Sequence, residues 1–153
     1  MSSTERRGRI LVIDDEAAML DACQETLTYH GYDVTVEQDP VAGVQIAASQ
    51  EFDVILLDLK MPGRDGLDVL RELHAHLPEV QKVMITAFPT ISTAVEAVRA
   101  GAYDYLPKPF SPDELLLTME RAVGQKRLSE ENRRLRRALG LRSGFEGIVA
   151  RSA

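Results

Sequence analysis

The feature that most narrows the folds open to this chain is a regular alternation of short apolar, β-branched runs with longer stretches of helical period. Ile10-Leu11-Val12-Ile13 comes first, and Met19, Ala22, Cys23, Thr26 and Leu27 then share one helical face until Gly31 stops it. The same pairing recurs with Tyr32 to Val36 before Val41 to Ala48, Val54 to Leu57 before Leu67 to Leu73, and Lys82 to Ile85 before Ile91 to Ala100. A last apolar piece, Tyr103 to Leu106, precedes a helix opened by Ser111-Pro112-Asp113-Glu114. Ser111 suits the N-cap, Pro112 the first helical position and the two acids the first turn. Five strand-then-helix units at this spacing predict an α/β fold, a doubly wound parallel sheet with helices on both faces. Val54-Ile55-Leu56-Leu57 and Val83-Met84-Ile85 are apolar without alternation, as strands buried on both faces should be.

The length of 153 residues suits one domain with a short appendage. A hydrophobic share of 44% and a charged share of 27% exclude disordered and collagen-like classes. Cys23 has no second cysteine in the chain, so no internal disulfide is expected and the cytoplasm is the default location. The apolar run after the charged start is only Ile10 to Ile13, so no signal peptide is expected, and no run of about 18 apolar residues suggests a membrane span.

In doubly wound sheets, function gathers beyond the carboxyl ends of the strands. There the chain places Asp14-Asp15, Asp58, Thr86 and Lys108-Pro109. Taken singly, the two aspartates read equally well as caps of the next helix, Asp58 as a turn residue and Lys108 as a solvated lysine. Joint placement on four strand ends is what points to a site. Three converging carboxylates need a counter-charge. With oxygen donors and neither Cys nor His among them, the fitting ion is Mg2+ rather than a thiol- or imidazole-loving metal. Met61-Pro62-Gly63 and Gly66 mark a turn-rich loop after Asp58. His30, His74 and His76 fall away from the acidic ends and read as surface residues; His74 and His76, two apart, do not share a helical face.

Four segments together resemble response-regulator receiver domains of two-component systems: Ile10 to Glu16, Leu56 to Gly66, Met84-Ile85-Thr86-Ala87, and Gly101 to Phe110. The resemblance covers residues 8–122 and implies the flavodoxin-like strand order 2-1-3-4-5. It implies that Asp58 accepts a phosphoryl group from a histidine kinase or a small donor such as acetyl phosphate, in a reaction the domain itself promotes with Mg2+ without being an enzyme of turnover. It implies that Asp14, Asp15, Asp58 and the backbone carbonyl of Lys60 hold Mg2+, and that Thr86 and Lys108 meet phosphoryl oxygens. Tyr105 would be an aromatic switch, and the Lys108–Pro109 peptide would be cis. Lys60, two after Asp58, and Phe88, two after Thr86, stand where the family tunes phosphate lifetime, and bulky Phe88 is expected to slow water attack.

Residues 1–120 hold 9 Lys and Arg against 21 Asp and Glu, a net of −12, whereas residues 121–153 hold 9 against 3, a net of +6. The break suggests a module boundary near 121. The last helix is expected to run on to about residue 139, giving a helical linker over 123–140. Leu128, Asn132, Leu135 and Leu139 follow 4, 3, 4 spacing, a short stripe for a homodimeric coiled coil with one polar residue. Arg133, Arg134, Arg136 and Arg137 come without a base-reading motif, so direct DNA binding is not expected. Phe145 to Ala153 resembles the opening of the AAA+ domain in sigma-54-dependent transcription activators of the nitrogen-regulator type. Residues 141–153 would be a stub of that output domain, the rest being absent; no Walker loop is present. The alternatives are a receiver-like dimerisation module that is never phosphorylated and an Mg2+-dependent aspartyl phosphatase. The phosphatase would want its nucleophile after the first strand, with an Asp two residues on. A dinucleotide enzyme fails for want of Gly-x-Gly-x-x-Gly after that strand.

Overall fold

A computed structural model describes residues 7–61, 64–87 and 89–140. The expected alternation is present: β1 (Arg9–Ile13), α1 (Ala17–Tyr29), β2 (Asp33–Glu37), α2 (Pro40–Ser49) and β3 (Val54–Asp58) open the chain. A two-residue hairpin, β4 (Lys60–Met61) with β5 (Arg64–Asp65), follows. Then come α3 (Gly66–His76), β6 (Gln81–Thr86), α4 (Ile91–Arg99), β7 (Asp104–Pro107) and α5 (Pro112–Ala138). The main sheet is parallel in the order β2-β1-β3-β6-β7, which is 2-1-3-4-5 counted over its own five strands.

Period-2 side-chain alternation divides the core between the two faces. Ile10, Val12, Val54, Leu56, Val83 and Ile85 pack with Leu20, Leu27, Leu115 and Met119 on the α1/α5 side. Leu11, Ile13, Ile55, Leu57 and Met84 pack with Val69, Leu70, Leu73 and Ala97 on the α2/α3/α4 side. Ser111 caps α5 as expected, its hydroxyl accepting from the Glu114 N–H at 3.1 Å while Glu114 Oε1 accepts from the Ser111 N–H at 2.8 Å.

α5 runs unbroken across the charge change at residue 121. Ion pairs hold its second half to the body: Lys126 with Asp53 at 3.8 Å, and Arg133 with Glu79. Leu128, Leu135 and Leu139 stay exposed, and the Asn132 Oδ1 accepts from Arg136 Nε at 3.1 Å. The expected stub at 141–153, Phe88, Pro62 and Gly63 lie outside the described residues.

One buried residue is foreign to its apolar strand. Lys82 on β6 is 1% exposed. Its ammonium donates to the Leu77 carbonyl at 2.6 Å and lies 3.1 Å from His74 Nδ1, so His74, although exposed, is not an isolated surface residue. Burial pushes Lys82 down to about 8. The unfolded chain therefore holds more protons between about pH 8 and 10.5, and stability rises with pH across that window, on the order of 1 kcal/mol per pH unit. Denaturant titrations at pH 7.5 and 9.5 should show the gain for the native chain and its absence in Lys82→Met.

Candidate functional site

Parallel register brings the site together. Ile13 lies beside Leu57 and Asp58 beside Ile85, so Asp14, one residue past β1, emerges next to the last residue of β3. Asp14, Asp15 and Asp58 each offer a carboxylate oxygen, all within 4.8 Å of one another. Asp14 is fully buried, Asp58 is 4% exposed and Asp15 is half-buried. From the residue after β7, Lys108 Nζ reaches Glu16 Oε1 at 3.0 Å, Asp14 Oδ2 at 3.3 Å and Asp58 Oδ2 at 3.8 Å. The Lys108 N–H donates to the Thr86 carbonyl at 2.7 Å, which ties the end of β7 to the end of β6. Thr86 itself is buried, and the Lys108–Pro109 peptide is cis.

The capping reading of the first acidic pair does not hold. The N-cap of α1 is Glu16, which makes no side-chain cap, while Asp14 Oδ1 accepts the Glu16 N–H at 2.9 Å. Asp14 Oδ2 is buried and makes no aligned hydrogen bond; its neighbour is the Lys108 ammonium. Burial raises the Asp14 carboxyl above the ordinary carboxylate range. Burial, then the Asp14 charge, pushes Asp58 up to about 7. For Lys108, burial works against the ammonium, but the Glu16 hydrogen bond and the charges of Asp14 and Asp58 outweigh it and raise the group overall. A buried carboxylate oxygen without an aligned hydrogen bond, beside two crowded like charges and an all-oxygen donor set, fits a small hard cation such as Mg2+.

The loop after Asp58 is shaped by backbone bonds. Leu59 N–H donates to the Ile85 carbonyl at 2.8 Å, and Gly66 N–H closes back on the Leu59 carbonyl at 3.0 Å. The Lys60 N–H donates to Asp58 Oδ1 at 3.3 Å. Asp65 caps α3 through the Leu67 N–H at 3.0 Å. Tyr105 is half-buried on β7, with its hydroxyl 2.9 Å from Thr93 Oγ1 on α4. Two participants carry no signal in the sequence pattern: Glu16, which directly follows the acidic pair, and Thr93, which nothing in the residue pattern joins to Tyr105.

The fold and these side chains define a class: a doubly wound α/β domain whose switch-point crevice is an acidic, cation-accepting pocket with a lysine at its rim. The response regulator receiver domain family matches residues 10–120, and the chain belongs to that family. It is 38% identical over 128 residues to the alginate biosynthesis transcriptional regulatory protein AlgB of Pseudomonas syringae pv. tomato, covering 84% of this chain and 29% of that protein. It is 38% identical to the C4-dicarboxylate transport transcriptional regulatory protein DctD of Pseudomonas aeruginosa, covering 97% of this chain and 32% of that one. The crystal structure of NtrX from Brucella abortus in complex with ADP superposes with a TM-score of 0.80 at 35% identity, covering 84% of this chain and 30% of the other. The chain thus spans about a third of the length of these relatives. Receiver domains are signalling domains that bind Mg2+ at the acidic pocket and are phosphorylated by histidine kinases. No helix among the described residues is long and apolar enough to cross a membrane.

Proposed function

We propose that the chain is a phosphorylation switch in which Asp58 accepts a phosphoryl group and a dimer-forming helix carries the result to a transcription-activating output. The observation that carries the reading is the convergence of Asp14, Asp15 and Asp58 within 4.8 Å, with Lys108 beside them. An Asp58 carboxylate oxygen attacks phosphorus in a donor phosphohistidine. The P–N bond breaks, its electron pair returns to the imidazole, and an aspartyl phosphate forms. Acetyl phosphate reacts equivalently with loss of acetate.

The residues that would hold Mg2+ are Asp14, Asp15, Asp58 and the Lys60 carbonyl, and the ion's chemistry is neutralisation of charge on the phosphoryl oxygens. Lys108 exchanges its carboxylate contacts for a phosphoryl oxygen, and the Thr86 hydroxyl donates to another. Tyr105 then repacks. Residues 8–122 form the receiver in this reading and 123–140 the linker. Leu128, Asn132, Leu135 and Leu139 form the seam with a second copy, and 141–153 leads into an AAA+ output of the sigma-54-dependent kind. The exposure of all three leucines supports the seam.

Incubation with acetyl phosphate and Mg2+, followed by intact mass, should add one phosphoryl group to the native chain and none to Asp58→Asn. Absence of the adduct, or its persistence in Asp58→Asn, would overturn the reading and favour an unphosphorylated dimerisation module.

A further inference from the structure

Helix α4 begins with a reciprocal cap. Thr90 Oγ1 accepts the Thr93 N–H at 3.1 Å, and Thr93 Oγ1 accepts the Thr90 N–H at 3.1 Å. Thr93 Oγ1 also lies 3.0 Å from the Thr90 carbonyl and 2.9 Å from the Tyr105 hydroxyl. A hydroxyl has one proton and two lone pairs. The Thr90 hydroxyl also lies 3.0 Å from Thr93 Oγ1, so Thr93 Oγ1 is shared among the Thr90 N–H, the Thr90 carbonyl, the Thr90 hydroxyl and the Tyr105 hydroxyl. The phenol thus joins the cap as a partner contributed from a different element, β7.

The strand register connects this cap to the pocket. Tyr105 pairs with Met84 and Pro107 with Thr86, and Lys108 N–H holds the Thr86 carbonyl. From Thr86 the chain reaches Thr90, the N-cap of α4, four residues later; from Lys108 it runs back to Tyr105 in three. A rearrangement at Thr86 and Lys108 thus reaches both ends of one side-chain hydrogen bond.

We propose that Thr93 is a positioning residue for the switch. Its hydroxyl tethers Tyr105 to the first turn of α4 while Asp58 is unmodified, and acquisition of the phosphoryl group breaks the tether, so that the α4 cap loses a hydrogen-bond partner as Tyr105 departs. This inference rests on the reading of Asp58 as phosphoacceptor.

Hydrogen exchange of the α4 amides, measured on the full chain at rest and with Mg2+ and beryllofluoride, tests it. At rest, Tyr105→Phe should speed exchange in the first turn of α4 by about threefold to tenfold, the effect of one lost hydrogen bond. Thr93→Val should do the same or more, Thr93→Ser should restore native rates, and Tyr105→Phe added to Thr93→Val should change nothing further. With beryllofluoride, the native chain should rise to the rate of Tyr105→Phe and the two should converge. Contacts that matter only for folding would leave the gap in both states. Resting rates in Tyr105→Phe equal to native, or a gap that survives beryllofluoride, overturn the tether. A native chain that gains no mass from acetyl phosphate overturns the acceptor reading and the release step with it, whereas normal mass gain with unaltered exchange in Tyr105→Phe overturns the tether alone.

Discussion

Asp58→Asn should melt several degrees higher than the native chain at pH 8 without divalent cations. The native carboxylate is almost fully buried beside Asp14, and its proton affinity is raised from an ordinary aspartate's to about 7. Because the folded value lies above the unfolded one, the stability this group contributes is present in full below about pH 4 and is lost as pH rises through 7. Above pH 7, folding must desolvate an anion that the neighbouring lysine compensates from 3.8 Å. An amide of the same shape removes that cost and keeps an acceptor for the Lys60 N–H. A gain of about 2 kcal/mol allows for the lost ion pair and for structural relaxation. For a chain of this size it corresponds to roughly 4–8 °C. The gap should be less than half as large at pH 5 and close only below about pH 4, where Asp58 is protonated in the unfolded chain as well. Millimolar Mg2+ should narrow it from the other side, stabilising the native chain more than the variant. Calorimetry at pH 5 and 8, with and without Mg2+, checks all three; equal midpoints at pH 8, or a gap indifferent to pH, would show that the carboxylates are not electrostatically frustrated.

That frustration is what a switch requires. A pocket whose charges were mutually satisfied would have no reason to change when a phosphoryl group arrives. Here the buried Asp14 Oδ2 makes no aligned hydrogen bond, and its neighbour Lys108 is shared among three carboxylates, one of them the exposed Glu16. In the proposed switch the acidic cluster would sacrifice stability for responsiveness, the exchange expected where a functional site overrides local energetic preference.

The sheet was legible because buried parallel strands leave a signal that needs no tertiary knowledge. Val54 to Leu57 is apolar on both faces, and the five helices are interleaved at regular spacing. The strand-end acids were legible for a related reason, since fold class alone fixes which ends converge. The strand order came from family likeness, because alternation does not say which strand neighbours which. Lys82 was invisible: a lysine opening an apolar run reads as the strand's solvated start, and its burial depends on the Leu77 carbonyl and the His74 ring, which the end of α3 and the turn after it place beside the ammonium. The β4–β5 hairpin is too short for any periodicity to register. The Tyr105–Thr93 contact joins residues on two elements whose spacing is set by how α4 lies on the sheet, which residue pattern does not encode.

Gly66→Ala should be the most damaging added methyl among the described glycines. A Cβ at this first residue of α3 would stand 2.2 Å from the Leu59 carbonyl oxygen and 2.6 Å from its carbon. Both are backbone atoms, so no side-chain rotation relieves the clash. The same carbonyl accepts the Gly66 N–H at 3.0 Å, and the Leu59 N–H is anchored to Ile85. The only relief is to move α3 away from the end of β3. Overpacking against fixed atoms costs about 3 kcal/mol, near the upper end of the range for one added carbon. That lowers the melting midpoint by roughly 10 °C. The displacement also falls on the segment that follows Asp58 and contains Lys60, so Mg2+ affinity should drop about tenfold even in the fraction that stays folded. Fluorescence or calorimetric Mg2+ titration well below the variant's melting point separates the two effects. Unchanged affinity with reduced stability would mean that α3 yields as a rigid body and leaves the loop intact. An unchanged midpoint would refute the claim that this close backbone approach braces the site.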